Sequence, residues 1–193
     1  MSTGYVKSYT QRFALLARLN EQIFHTKDLA NLWAIQDKNT LYTTLKRYTQ
    51  HGLIFRIFKG LYAMKPITQL QPWLLGLRAL HTSAYISTET ILEQAGIIQQ
   101  KMHSITLISS LSKRFTLGPY HYRSRKLADK FLYNTAGIAE KDGMRLASPE
   151  RAIADMLYFH PKIYFDGNRH IDWQQVKKIQ DAVGYPLTPK RYL

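Results

Sequence analysis

The sequence predicts an α+β protein with two domains, and three observations indicate this. Apolar residues recur at helical spacing through most of the first fifty positions, and segments rich in β-branched and aromatic residues follow them. A break with two prolines, KPITQLQP, interrupts the pattern at residues 65–72. Because 193 residues suffice for one ordinary domain or two small ones, we expect an N-terminal domain at 5–66 and a C-terminal domain at 67–193.

The N-terminal domain begins with three predicted helices. The first covers residues 8–19, and the second starts at Thr26, whose hydroxyl is expected to cap it. The third follows the segment QDKN, with Asp37 or Asn39 as its cap. Gly52 comes directly after its last apolar position, where a left-handed residue commonly ends a helix.

The third helix has two chemically different faces. Leu41, Leu45 and Tyr48 are spaced to form one inward stripe. The opposite face is polar and basic, and comprises Asn39, Thr40, Thr43, Lys46, Arg47 and Gln50.

The stretch GLIFRIFKGLYAM, residues 52–64, has no helical stripe and predicts two strands joined by a turn at Lys59-Gly60. Three helices followed by such a hairpin within about 55 residues are typical of a winged helix-turn-helix. In that fold the third helix enters the major groove of DNA and the hairpin forms the wing.

The C-terminal domain is predicted to be a small sheet flanked by helices. WLLGLRAL and ISTETILEQAG indicate two helices, the second capped by Ser87 or Thr88. HSITLIS and RFTLGPYHYRSR indicate strands, the latter broken at Gly118-Pro119, and a hairpin turn is expected at 141–143. Two final helices start at Ser148 and Asp172.

The charge balance favours a polyanionic partner, although a basic but otherwise ordinary protein is the alternative. The chain has 27 Lys and Arg against 13 Asp and Glu, a net charge of +14. Residues 1–66 contain ten basic and three acidic side chains, so this part is about twice as dense in positive charge as the remainder. There is no cysteine, no apolar signal core and no run long enough to cross a membrane, and we therefore expect a cytoplasmic protein without membrane partners.

Double-stranded DNA is the partner that these features favour. Side chains near the start of the third helix are candidates for reading bases, while the second helix start and the hairpin are candidates for binding phosphates. The alternatives are a solvated helix face, a simple helix cap and a solubilising turn lysine. The candidate DNA-binding residues are Thr26, Lys27, Asn39, Thr40, Tyr42, Thr43, Lys46, Arg47, Arg56 and Lys59.

Catalysis has little support in the sequence, and we expect no enzyme activity, metal or cofactor. The seven histidines are scattered, and no nucleotide-binding or hydrolase motif occurs. Glu150 and Asp155 are five residues apart, on different faces of a helix, so they are interpreted as a dipole partner and a local polar contact. The run at 120–126 mixes aromatic and basic residues; it fits either stacking on single strands or, as we prefer, an edge strand.

The succession GLIFRIFKGLYAM, AYISTETILEQAGI and GMRLASPERAIADMLYF resembles the AbiE-type antitoxins of bacterial abortive-infection toxin–antitoxin systems. The resemblance implies an N-terminal domain that represses its own operon by binding an inverted repeat, as a dimer on DNA. It also implies a C-terminal domain that counteracts a nucleotidyltransferase-like toxin. Phe55 and Phe58 depart from the polar or basic residues usual in such wings, and they are expected either to pack against the C-terminal part or to mark a partner surface.

Overall fold

The computed structural model describes residues 8–19, 21–167, 169 and 171–187 of this α+β chain. It divides into two compact units, Met1–Gln71 and Pro72–Leu193. Residues 67–71, assigned to the second domain by the sequence, belong to the first unit. They include a short 3₁₀ turn, Ile67–Gln69, and the buried Leu70.

The first unit combines three helices with a small antiparallel sheet. The elements are α1 (Tyr9–Arg18), β1 (Ile23–His25), α2 (Thr26–Trp33), α3 (Lys38–Gln50), β2 (Phe55–Phe58) and β3 (Leu61–Ala63). The strands lie in the order β1-β3-β2. Tyr62 of the central strand β3 is opposite Phe24 of β1 on one side and Arg56 of β2 on the other.

Aromatic packing holds α1 and α2 against α3. The Tyr48 ring is fully buried and lies edge-on to Trp33, with ring centroids 5.4 Å apart. Its hydroxyl donates to the backbone oxygen of Tyr9 at 2.6 Å, and the Trp33 indole N–H donates to that of Arg12 at 3.0 Å. Both buried polar groups of these rings are therefore satisfied, as buried donors require.

The ends of the helices show which capping predictions were right. Asp37 caps α3 by accepting from the Thr40 N–H at 2.6 Å, and Gly52 has the expected left-handed backbone with φ of +67°. The prediction that Thr26 caps α2 is wrong, because Thr26 is the first residue of the helix. The cap position belongs to His25, whose N–H donates to the Asp28 carboxylate at 3.1 Å.

The second unit contains a mixed six-stranded sheet in the order β6-β7-β5-β4-β9-β8. Strands β4 and β9 run parallel, as do β5 and β7, and the other neighbouring pairs are antiparallel. Its strands are β4 (Ala84–Ile86), β5 (Ile105–Ser109), β6 (Lys113–Leu117), β7 (Tyr120–Lys126), β8 (Ile138–Lys141) and β9 (Met144–Ala147).

Five helices accompany this sheet in the described part of the second unit. Close packing is clearest where α4 crosses β7, because a Cβ at Gly76 would come within 2.4 Å of the Tyr122 ring. Only glycine leaves room for that ring without a shift. The helices are α4 (Pro72–Leu80), α5 (Glu89–Gln94), α6 (Asp129–Leu132), α7 (Pro149–Phe159) and α8 (Trp173–Val183).

Several local predictions in the second unit are confirmed. Ser148 caps α7 by accepting from the Arg151 N–H at 3.1 Å, and Asp172 caps α8 by accepting from the Gln175 N–H at 2.9 Å. Hairpin turns lie at 118–119 and 142–143, as expected. No helix in the described residues is long and apolar enough to cross a membrane.

The prediction of an edge strand at 120–126 is wrong. This segment is β7, which lies between β6 and β5. Tyr122 and Ser124 are buried on one face of the strand, and Arg125 is buried on the other. Both faces thus contain a buried residue, which fits an interior strand. The edges of the sheet are β6 and β8.

A buried polar network replaces the local contact predicted for Asp155. Its carboxylate accepts from the hydroxyls of Tyr85 at 3.0 Å, Ser87 at 2.7 Å and Tyr185 at 2.8 Å, and from Arg151 Nε at 2.9 Å. Ser87 therefore does not cap α5. Thr88 stands at the cap position, as predicted, but its side chain makes no capping hydrogen bond.

Burial and the charge of Asp155 act in opposite directions on the pKa of Arg151, and in the same direction on the pKa values of Tyr85 and Tyr185. Burial lowers the pKa of the Arg151 guanidinium, but the Asp155 carboxylate and the two tyrosine oxygens raise it more. Burial raises the pKa of Tyr85 and of Tyr185, and the nearby carboxylate raises both further. Arg151 and Asp155 thus form an ion pair whose side chains are fully buried.

Candidate nucleic-acid interface

Helix α3 exposes the polar face that the sequence predicts. Leu41, Leu45 and Tyr48 are buried, and Tyr42 is 49% exposed. Thr44 turns inward and donates to the Thr40 backbone oxygen at 2.8 Å, so it belongs to the packed side of the helix. The predicted base-reading and basic residues of α3 are all exposed: Asn39, Thr40, Tyr42, Thr43, Lys46 and Arg47.

The start of α3 is fixed by Asp37. Hydrogen bonds from the Thr40 hydroxyl and the Thr40 N–H lower the pKa of the Asp37 carboxyl. The carboxylate is therefore ionised at neutral pH and complements the positive end of the helix. This cap orders the turn that presents Asn39 and Thr40 to solvent.

The turn between β2 and β3 meets the start of α2. Gly60 has φ of +94°, a conformation that glycine adopts readily and other residues rarely adopt. Its backbone oxygen accepts from the Thr26 N–H at 2.9 Å. This bond brings the exposed side chains of Lys27 and Lys59 to one region of the unit, at the ends of two different elements.

Strand β2 presents Arg56 beside Tyr62 of β3. Arg56 is exposed and directly opposite Tyr62 in the sheet. Burial raises the pKa of the Tyr62 phenol, while the charge of Arg56 lowers it and Tyr42 raises it.

The two aromatic residues of β2 differ in exposure. Phe55 is half-buried, whereas Phe58 is 37% exposed and directly precedes Lys59. The sheet register shifts between Arg56 and Phe58, a local irregularity of the kind that reorients side chains near functional surfaces. Phe58 therefore adds apolar area beside the basic turn.

The first unit is basic over most of its exposed charged positions. The exposed acidic residues in its described part are Glu21, Asp28 and Asp37, and Asp28 and Asp37 both accept backbone hydrogen bonds at helix starts. No group of three or more metal-ligating side chains occurs in the described residues of either unit. The excess of exposed positive charge in this unit favours contact with anions.

The comparisons with known proteins establish the fold alone. No family model and no curated protein matches the chain. It is similar to the crystal structure of the RV2827C protein from Mycobacterium tuberculosis, with a TM-score of 0.51 and 14% sequence identity. The similarity covers 92% of this chain and 72% of that protein. The fold of this chain thus has a counterpart among solved structures.

Proposed function

We propose that this protein is a winged helix-turn-helix transcriptional repressor that binds a specific DNA sequence in the cytoplasm. The observation that carries the proposal is the exposed polar face of α3 together with the basic turn that adjoins the start of α2. Helix α3 is the recognition helix, and strands β2 and β3 form the wing.

The proposed DNA-binding residues have different roles according to the chemistry of their side chains. The amide of Asn39 pairs bidentately with adenine, and Thr40, Tyr42 and Thr43 contact neighbouring base edges or methyl groups. Lys46 lies about one turn after Thr43 along α3 and binds bases or backbone. Phosphates are neutralised by Arg47 and by the residues outside α3, namely Thr26, Lys27, Arg56 and Lys59.

A footprint on the DNA upstream of the protein's own gene tests this proposal. We expect two protected half-sites of an inverted repeat, separated by one helical turn of roughly 10 base pairs or a multiple of it, because a dimer repeats one set of contacts. Protection of a single site without symmetry would contradict the dimer, and no protection at low salt would contradict the repressor.

We propose further that the repressor is the antitoxin of an AbiE-type system. Support comes from the succession of motifs in the sequence, and the second unit is the part that counteracts a nucleotidyltransferase-like toxin. The test is to express the protein encoded by the adjacent reading frame with and without this chain. We expect that the neighbouring protein arrests growth and that the full chain relieves the arrest. A neighbouring protein that does not arrest growth would favour a stand-alone regulator.

The exposed Phe58 favours a second candidate, a winged-helix protein-interaction module without antitoxin activity. In that case the net charge of +14 only aids solubility. Binding to DNA and binding to a protein through Phe58 differ in their response to salt, since counterion release makes only the former strongly salt-dependent. Tight binding to a protein that added salt leaves unchanged, with no DNA binding at low salt, would replace the first proposal by this one.

A further inference from the structure

A cluster of basic side chains in the second unit lies far along the sequence from the proposed DNA-binding residues. It surrounds a cavity of about 430 Å³ where β6 begins, β7 ends and α7 ends. No carboxylate lines this cavity in the described part of the chain. Its basic lining residues are Lys113, Arg114, Arg123, Arg125, Lys126 and His160.

Two arginines of this cluster face each other across neighbouring strands. Arg114 on β6 is the direct partner of Arg123 on β7. Like charges placed opposite each other in a sheet are destabilising unless something neutralises them. Neither arginine has a carboxylate within ion-pair distance among the described residues. The pair therefore holds uncompensated positive charge beside the cavity.

Arg125 supplies the buried part of the site. It is 7% exposed, lies on the same face of β7 as Arg123, and pairs with Glu89 of α5. Its guanidinium lies over the Phe159 ring, 5.3 Å from the ring centroid. Its Nε is a buried donor that has no hydrogen-bond partner in the described residues. A buried donor without a partner is costly, so an incoming acceptor would be favoured here.

We propose that this cavity binds a small molecule carrying two or more phosphate groups, such as a nucleoside triphosphate. Arginine and lysine around a concave site are the usual ligands for phosphate oxygens, and the volume falls in the range of small-molecule pockets. Arg114 and Arg123 bind the outer phosphates, and the half-buried Phe159 offers an aromatic surface for a base. Duplex DNA is the other source of phosphates, but its backbone is bound mainly by exposed side chains, whereas Arg125 is buried.

Calorimetric titration of the full chain tests the proposal, with ATP and inorganic tripolyphosphate as probes and adenosine as the uncharged control. We expect saturable binding of both phosphate compounds to one site, and none of adenosine. The variant Arg114→Gln/Arg123→Gln should weaken both by roughly tenfold or more, because it removes two charge-assisted contacts. The single variant Lys113→Gln, at an exposed edge-strand position, should weaken both by a smaller factor.

A control variant that loses the same number of charges distinguishes a specific binding site from nonspecific electrostatic attraction. Lys141→Gln/Lys177→Gln removes two exposed charges from β8 and α8 and should bind as the wild type does. Equal weakening by this control, or no saturable binding of either phosphate compound, would overturn the proposal. Loss of duplex binding by the Arg114/Arg123 variant, with neither small compound bound, would also overturn it and assign the face to DNA.

The proposed phosphate site and the proposed repressor activity can be tested independently of each other. Lys59→Ala should leave binding of ATP unchanged even where it weakens binding of DNA. A chain that binds DNA without binding either phosphate compound would retain the repressor proposal and lose this one.

Discussion

Asn39 is the residue whose position most directly connects this structure to base recognition. It lies in the first turn of α3, two residues after the Asp37 cap, and its side chain is exposed. The N-terminal turn of a recognition helix is the part that approaches base edges. An amide here can donate to and accept from adenine at once, which the methyl group of alanine cannot do.

Asn39→Ala is expected to relax the preference for one base pair of the operator, costing about 1–3 kcal/mol of discrimination. The measurement is binding to a set of operators that each carry one substituted base pair. Gln174→Ala, which removes an exposed amide from α8 in the other unit, is the control and should leave every preference unchanged. An Asn39→Ala variant with the wild-type pattern would assign base reading to other residues.

Asp155 illustrates a different role for a single residue, the organisation of a core. Four side chains donate to its two oxygens, and three of the donors lie at least 30 positions away in the chain. The sequence gives only the i, i+4 spacing of Arg151 and Asp155 within RAIADML as a signal. The same spacing is also common on exposed helix faces, so it does not predict a buried network.

Asp155→Asn should destabilise the second unit by about 3–5 kcal/mol, because it leaves the Arg151 charge buried without a counter-charge. Denaturant unfolding followed by circular dichroism measures the loss. Asp181→Asn, on the exposed side of α8, should change stability by less than about 0.5 kcal/mol. Similar stability of the Asp155→Asn variant and the wild type would mean that the ion pair adds little to the fold.

Among the elements, the hairpin of β2 and β3 was predicted well because its signals are local. Lys59-Gly60 forms the expected two-residue turn, and the helix-ending Gly52 precedes it. Strand β1 was missed, since three residues, IFH, are too few to show alternation. Because β1 pairs with β3, the turn at Lys59-Gly60 lies beside the start of α2. The missed strand therefore also positions part of the candidate interface.

Lys59→Ala should weaken binding to all DNA sequences alike and reduce the salt dependence by about one released counterion, as expected for a phosphate contact. Titrations at several salt concentrations give this slope. The matched control is Lys141→Ala, an exposed lysine beside the turn of the β8–β9 hairpin, which should leave the slope unchanged. If both variants lower the slope equally, the effect is one of net charge and not of the wing.

The packing of α1 on α3 depends on an uncharged Tyr48. Burial raises the pKa of this phenol from 10.0 to about 12. Because the folded pKa lies above the unfolded value, the stabilisation is fully present below pH 10 and is lost as the pH rises toward 12. The hydrogen bond to Tyr9 weakens over the same interval.

Tyr48→Phe should reduce stability at neutral pH by about 1 kcal/mol through loss of that hydrogen bond. It should also make α3 less sensitive to pH between 10 and 12, the interval in which the buried phenol ionises on unfolding. Hydrogen exchange of α3 amides, measured by mass spectrometry at several pH values, follows both effects. The same pH sensitivity in the variant and the wild type would assign it to other groups.

At the scale of the whole molecule, the α+β class followed from periodicity, turn residues and caps, all of which act between neighbours in the chain. The order of strands did not, because it depends on pairing between distant segments. Residues 120–126 contain basic side chains typical of an edge, yet they pair on both sides as β7. The basic cavity beside them went unrecognised for the same reason, since α7 and β6 complete it.

Sequence-specific binding of DNA is the property on which the proposed function depends. The most direct measurement is fluorescence anisotropy of the full chain with DNA from upstream of its own gene, against a shuffled sequence of the same composition, over a series of salt concentrations. We predict that the native sequence binds roughly 10³-fold or more tightly than the shuffled one, and that both affinities fall as salt rises. Equal affinity for the two sequences, or no binding of either at the lowest salt, would contradict it.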